Sequence, residues 1–123
     1  MKQIRVYSDP SGETHIEDLG DVLFTLADYA PPAPRFGVSP FAPAVQYGFI
    51  RLPPGWYGDW HPVPSRQVHI YLSGELEGQA SDGSVVRVGP GSVILMEDTT
   101  GKGHVSRVIG DEDVVIAVVR LPD

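Results

Sequence analysis

Gly55-Trp56-Tyr57-Gly58-Asp59-Trp60-His61-Pro62-Val63-Pro64-Ser65-Arg66-Gln67-Val68-His69-Ile70-Tyr71-Leu72-Ser73-Gly74 is the stretch that decides the fold. Its second half, Gln67 to Ser73, alternates in the period-two manner of a β-strand and ends at a glycine turn. On such a strand Gln67, His69, Tyr71 and Ser73 share one face, and Val68, Ile70 and Leu72 the other. One face is therefore polar and bears a histidine, while the opposite face is aliphatic. His61 stands just before the strand, so the segment concentrates proton-transfer and ligand-forming side chains.

Working outward, the flanking sequence is punctuated at short intervals. Val45 to Leu52 is β-rich and is ended by Pro53-Pro54-Gly55. After Gly74, Leu76 to Ala80, Val85 to Val88, Ser92 to Glu97, His104 to Ile109 and Val114 to Leu121 read as strands. Asp82-Gly83, Gly89-Pro90-Gly91 and Gly110 to Asp113 are the turns between them. Ile4 to Glu17 reads as a hairpin about Asp9-Pro10-Ser11-Gly12, with His15 as an exposed strand residue. Residues 18–29 fit a strand or a turn of helix equally well. Ala30 to Pro43 carries five prolines, which exclude a helix or a central strand. This stiff segment, with Arg35, Phe36 and Phe41, fits either a cover for a pocket mouth or a loop packed outside. Short strands with turns every eight to twelve residues describe a sandwich or barrel.

Composition narrows the class. The 123 residues amount to one domain, and 41% hydrophobic residues are enough for one core. The net charge of −7 disfavours nucleic acid and anionic membrane as partners. The absence of cysteine removes disulfides, thiolate metal sites and cysteine nucleophiles. The first ten residues lack the apolar core of a signal peptide, and no apolar run approaches a membrane span. The expectation is a cytoplasmic protein.

The glycine and histidine spacing resembles that of the small single-domain cupins. Their first motif is a glycine, five residues, His-x-His, three or four residues, a glutamate, six residues and a glycine. Here Gly55, His61, Gln67 and Gly74 keep that spacing, but Val63 stands where the second histidine belongs and Gln67 where the glutamate belongs. The second motif runs from Gly91 through Glu97, at the proline position, to His104, with a turn two residues longer. The resemblance implies an all-β double-stranded β-helix, or jelly-roll, barrel. Residues 45–123 would form the barrel, and 1–44 an N-terminal hairpin and Pro-rich covering segment of the same domain. It also implies a metal site in the barrel mouth. Carried over, that site keeps His61 and His104, with Gln67 as a poor neutral ligand and none at Val63; His69, on the same strand face as Gln67, fits a replacement ligand, an acid/base group or a core histidine bonded to Tyr71.

Three readings of the site stay open: a metal centre, a metal-free polar pocket, and a structural histidine cluster. A metal-free pocket still supports acid/base chemistry by His61, His69, His104, Tyr71 and Glu97, as in lyases, isomerases and cyclases. Gln67, Trp56, Trp60 and Arg66 are the candidates for holding substrate. The alternatives are an enzyme dependent on one divalent transition metal, such as a dioxygenase, and a non-enzymatic small-molecule-binding module. The loop Thr99 to Gly103 lacks the spacing of a phosphate loop, so Lys102 reads as a turn residue. The aliphatic face of Val68, Ile70 and Leu72 needs covering, by the N-terminal hairpin of its own or a second copy, which predicts a homodimer.

Overall fold

A computed structural model describes residues 1–123 and contains no helix. The strands in order are β1 (Lys2–Ser8), β2 (Thr14–Asp21), β3 (Thr25–Ala27), β4 (Phe36–Val38), β5 (Gln46–Leu52) and β6 (Tyr57–His61). Then come β7 (Gln67–Ser73), β8 (Glu75–Ala80), β9 (Val85–Val88), β10 (Val93–Glu97), β11 (His104–Ile109) and β12 (Val114–Arg120). A six-stranded sheet of order β2-β1-β10-β7-β12-β5 faces a four-stranded sheet of order β6-β11-β8-β9. β3 and β4 form a separate ribbon. The only parallel pairing is β1 with β10; all others are antiparallel.

The core lies between the two sheets, as period-two patterning requires of a sandwich-like barrel. Val6, Tyr71, Ile94, Met96, Val114 and Ile116 enter it from the six-stranded sheet, and Leu76, Val88 and Val108 from the other. Val63, between β6 and β7, joins them, so the residue at the second histidine position of the motif is a packing residue. No helix long and apolar enough to cross a membrane is present.

The N-terminal hairpin differs from its expected role. β1 adds itself to the sheet beside β10 instead of lying across the face of Val68, Ile70 and Leu72. Backbone pairing with β10 satisfies a whole row of peptide groups, which packing across the outside of the sheet would leave to water. Residues 18–29 resolve into the end of β2 and the short β3. The Pro-rich segment holds β4, and its aromatic side chains pack on one another: Tyr29 lies 5.8 Å from both Phe36 and Phe41 between ring centroids. Leu23, Leu26, Tyr29 and Phe41 are all exposed. No residue between 17 and 49 lines the central cavity.

Gly74 shows why a glycine ends the β7 strand. Its φ is +73°, and a β-carbon there would lie 2.5 Å from the Asp113 carbonyl oxygen and 2.9 Å from the Val114 α-carbon. Any side chain would both strain the backbone and push β12 away from β7. Gly74→Ala is expected to lower unfolding stability by about 1–3 kcal/mol in chemical denaturation; an unchanged midpoint would contradict this packing.

Candidate active site

The site is the mouth of a cavity of about 370 Å³ between the sheets, within the range of small-molecule pockets. Its walls are mainly aliphatic. Its polar side chains come from five strands: His61 from β6, Gln67, His69 and Tyr71 from β7, Gln79 from β8, His104 and Ser106 from β11, and Arg120 from β12.

His61 and His104 meet because β6 and β11 pair in register at these two residues. Their ring centroids are 4.7 Å apart at 55°. Gly103 makes this approach possible: its φ is +74°, and a β-carbon there would lie 2.2 Å from the His61 carbonyl group. The N-terminal hairpin braces the same point, since the fully buried Thr14 hydroxyl donates to the Gly103 carbonyl at 2.7 Å.

Hydrogen bonds set the tautomer of each ring. His61 Nδ1–H donates to the Asp59 carbonyl at 2.6 Å, so Nε2 carries a free lone pair. His104 Nδ1–H donates to Asp98 Oδ2 at 2.5 Å, which leaves its Nε2 free as well. Asp98 is fully buried, and its other oxygen, Oδ1, is buried without a partner. A buried carboxylate behind an imidazole fixes the ring's orientation and compensates the charge that arrives with a proton.

His69 is different. Its Nε2–H donates to Gln67 Oε1 at 2.8 Å, and Gln67 in turn donates to the Ser65 hydroxyl at 3.3 Å. Burial, helped by the nearby His104, depresses its pKa from 6.5 to about 4. Tyr71 lies two residues deeper, and burial raises its phenol above the ordinary range. These two are neutral polar groups at the cavity wall near pH 7.

The structure separates the expected residues into two groups. It brings together His61, Gln67, His69, Tyr71, His104 and Trp56 around the cavity. It leaves out Glu97, Arg66 and Trp60. Glu97 faces away because β10 turns Ile94 and Met96 inward, and its carboxylate is held by Arg5 at 2.5 Å and Arg66 at 2.7 Å. Burial disfavours its charge, but the hydrogen bonds from Arg5 and Arg66 outweigh that and lower its pKa. Arg66 is thereby committed to Glu97 and to the Pro122 carbonyl instead of a ligand. Trp60 is exposed on the outside of β6. The carboxylate that bonds a cavity imidazole is Asp98, through His104. Its position two residues after Met96, in the inward phase of Ile94 and Met96, is the signal that identifies it. Arg120 was also missed; it ends the inward series Ile116, Val118, Arg120.

The donor set does not fit a resident transition metal. His61 Nε2, His104 Nε2 and His69 Nδ1 make no hydrogen bond, but Gln67 Oε1 is taken up by the His69 Nε2–H. No three His, Cys, Asp or Glu side chains converge as a metal-holding group. Val63, at the position of the second motif histidine, is in the core.

No protein-family model matches the sequence, and no curated protein matches it. Among solved structures, the cupin domain of Schizosaccharomyces pombe Cnp3 is similar, with a TM-score of 0.51 and 16% identity over 89% of this chain and 73% of that one.

The depressed pKa of His69 makes stability depend on pH. The native ring resists protonation down to about 4, whereas the unfolded ring takes a proton near 6.5. Its contribution is therefore whole above 6.5 and lost as pH falls toward 4. His69→Gln should flatten the stability slope in this window relative to the parent protein, measured by denaturant unfolding at stepped pH; equal slopes would contradict a buried neutral His69. With its all-β strand order, paired facing sheets and this structural neighbour, the chain has the cupin fold, a double-stranded β-helix barrel.

Proposed function

We propose that the barrel binds a small organic molecule and moves a proton within it, the chemistry of a lyase, isomerase or cyclase. The observation that carries this reading is the His61–His104 pair at the cavity mouth, both Nε2 atoms free and His104 backed by buried Asp98. His104 is the base: its Nε2 takes the proton while Asp98 holds the ring. His61, nearer to solvent, returns a proton to the substrate or to water. Gln67 and His69, locked to each other, present neutral polar edges beside them and orient the bound molecule. Trp56 and the aliphatic wall supply the contact area and keep water from the reacting atoms.

The test is proton exchange in deuterated water, read by mass spectrometry over a panel of small carbonyl and carboxyl compounds. The protein is expected to label at least one compound, and His104→Ala to slow that labelling by about 10²–10⁴-fold. His61→Ala, His104→Ala should abolish it with the fold intact by circular dichroism. Labelling that persists in the double variant would overturn the site. Binding to the cavity without labelling of any compound would favour the small-molecule-binding module over the enzyme.

We further propose that the macromolecular partner is a second copy of the chain. The outer face of the six-stranded sheet carries Val68, Ile70 and Leu72 from β7, Ala117 and Val119 from β12, and Tyr47 and Phe49 from the edge strand β5. Leu72, Phe49 and Tyr47 are 51%, 64% and 80% exposed. An apolar patch continuous to a sheet edge suits an isologous two-fold contact, which hides the patch without leaving a free copy of it. Sedimentation at micromolar concentration should show a dimer that Tyr47→Glu, Phe49→Glu converts to monomer; a monomeric parent protein would contradict this.

A further inference from the structure

The charge census of the molecule singles out one side chain. The chain has nine lysines and arginines against sixteen acidic residues. Every one of the nine except Arg120 has a carboxylate within 4.0 Å: Lys2 with Asp18, Arg5 with Glu17 and Glu97, Arg35 with Asp28, Arg51 with Asp113, Arg66 with Glu97, Arg87 and Arg107 with Glu77, and Lys102 with Glu13. Arg120 has only a 3.2 Å hydrogen bond from Nη1 to the Gln46 side-chain oxygen. In a protein of net charge −7, a lone unpaired guanidinium is conspicuous.

Its place is equally specific. Arg120 is the last residue of β12, in register with Gln67 on one side and Gln46 on the other. It lines the same cavity as His61 and His104, and it is the only lysine, arginine, aspartate or glutamate that does so. The same wall holds Val118 and Ile116 from β12 and Ile50 from β5. A site of this composition offers one cationic fork at the rim, an aliphatic interior, and a pair of imidazoles. A guanidinium presents two parallel N–H donors that match the two oxygens of a carboxylate. A phosphate dianion has more charge and more acceptor atoms than this single cation satisfies.

We propose that the ligand of the cavity is a small, mainly apolar carboxylate whose anionic head is held by Arg120. This rests on the reading of the cavity as a small-molecule site and adds the chemical class of the molecule. The carboxylate stays at the rim beside Gln46 and Gln67, and the apolar body points between the sheets, past the histidine pair.

The experiment uses hexanoate, benzoate, phenylacetate and 3-phenylpropanoate, each beside its neutral amide, with phenyl phosphate as a further arm. Binding is followed by backbone amide shifts of Gln67, Tyr71 and Ile116 in the 123-residue chain. At least one carboxylate is expected to shift these resonances and to bind about tenfold more tightly than its amide. Arg120→Gln should erase that preference while the amide still binds; Arg66→Gln, whose side chain is outside the cavity, should keep it. Equal affinity for acid and amide, a preference that survives Arg120→Gln, or tighter binding of phenyl phosphate would overturn the carboxylate assignment and leave the cavity reading standing. Failure of every acid and every amide to move the cavity resonances would overturn both.

Discussion

The contact on which the site depends is the one between buried Asp98 and His104. Asp98 follows the end of β10 with no exposed surface, and it acts through both side chain and main chain. Its carboxylate takes the His104 Nδ1 proton, and its carbonyl accepts the Val63 N–H at 3.0 Å. One residue thus ties the β7 approach, the end of β10 and the start of β11 together. Burying a carboxylate is costly unless hydrogen bonds repay the lost hydration. Here one oxygen is repaid and the other, Oδ1, is not. A fold that keeps such a group has placed polar chemistry where apolar packing would have been more stable, and functional sites are where such exceptions concentrate.

Around that contact the barrel supplies position. β6 and β11 bring His61 opposite His104, Gly103 removes the β-carbon that would hold them apart, and Thr14 reaches across from the N-terminal hairpin to fix the Gly103 carbonyl. A second brace is built on the same threonine: its hydroxyl accepts the Ser81 N–H at 2.6 Å, and its own N–H donates to the Ser81 hydroxyl at 2.8 Å. The hairpin is therefore part of the machinery that sets the histidine pair, although it contributes only Val6 and Ile16 to the cavity wall. The division of labour is clear in the charges too. Ion pairs such as Arg5–Glu97–Arg66 lie on the outside, and of the lysines, arginines, aspartates and glutamates only Arg120, at the rim, lines the cavity.

Much of this was legible in the sequence, and the rest failed for physical reasons. Strand alternation placed Gln67, His69 and Tyr71 on one face correctly, because β7 is a regular strand in the middle of a sheet with a buried side. The motif spacing brought His61 and His104 into view, although the two lie far apart in the chain. Glu97 stands at the motif's proline position, but strand parity with the inward Ile94 and Met96 turns it outward and buries Asp98. β6 was missed: Tyr57 to His61 has little apolar alternation, and it is a strand only because β11 pairs with it from more than forty residues away. Arg120 was invisible for a related reason. An arginine at the end of a strand reads as solvated until the whole set of ion pairs shows that it alone has no acid.

The central claim is that Asp98 holds His104 in the Nδ1–H tautomer, so that Nε2 is the free base at the cavity mouth. The most direct measurement is a long-range ¹⁵N–¹H correlation spectrum of the imidazoles at pH 8. The account predicts a protonated, pyrrole-like Nδ1 and an unprotonated, pyridine-like Nε2 for His104, with Asp98→Asn disturbing that assignment and leaving His69 as it was. A His104 ring protonated at Nε2, or one averaging freely between tautomers, would contradict it.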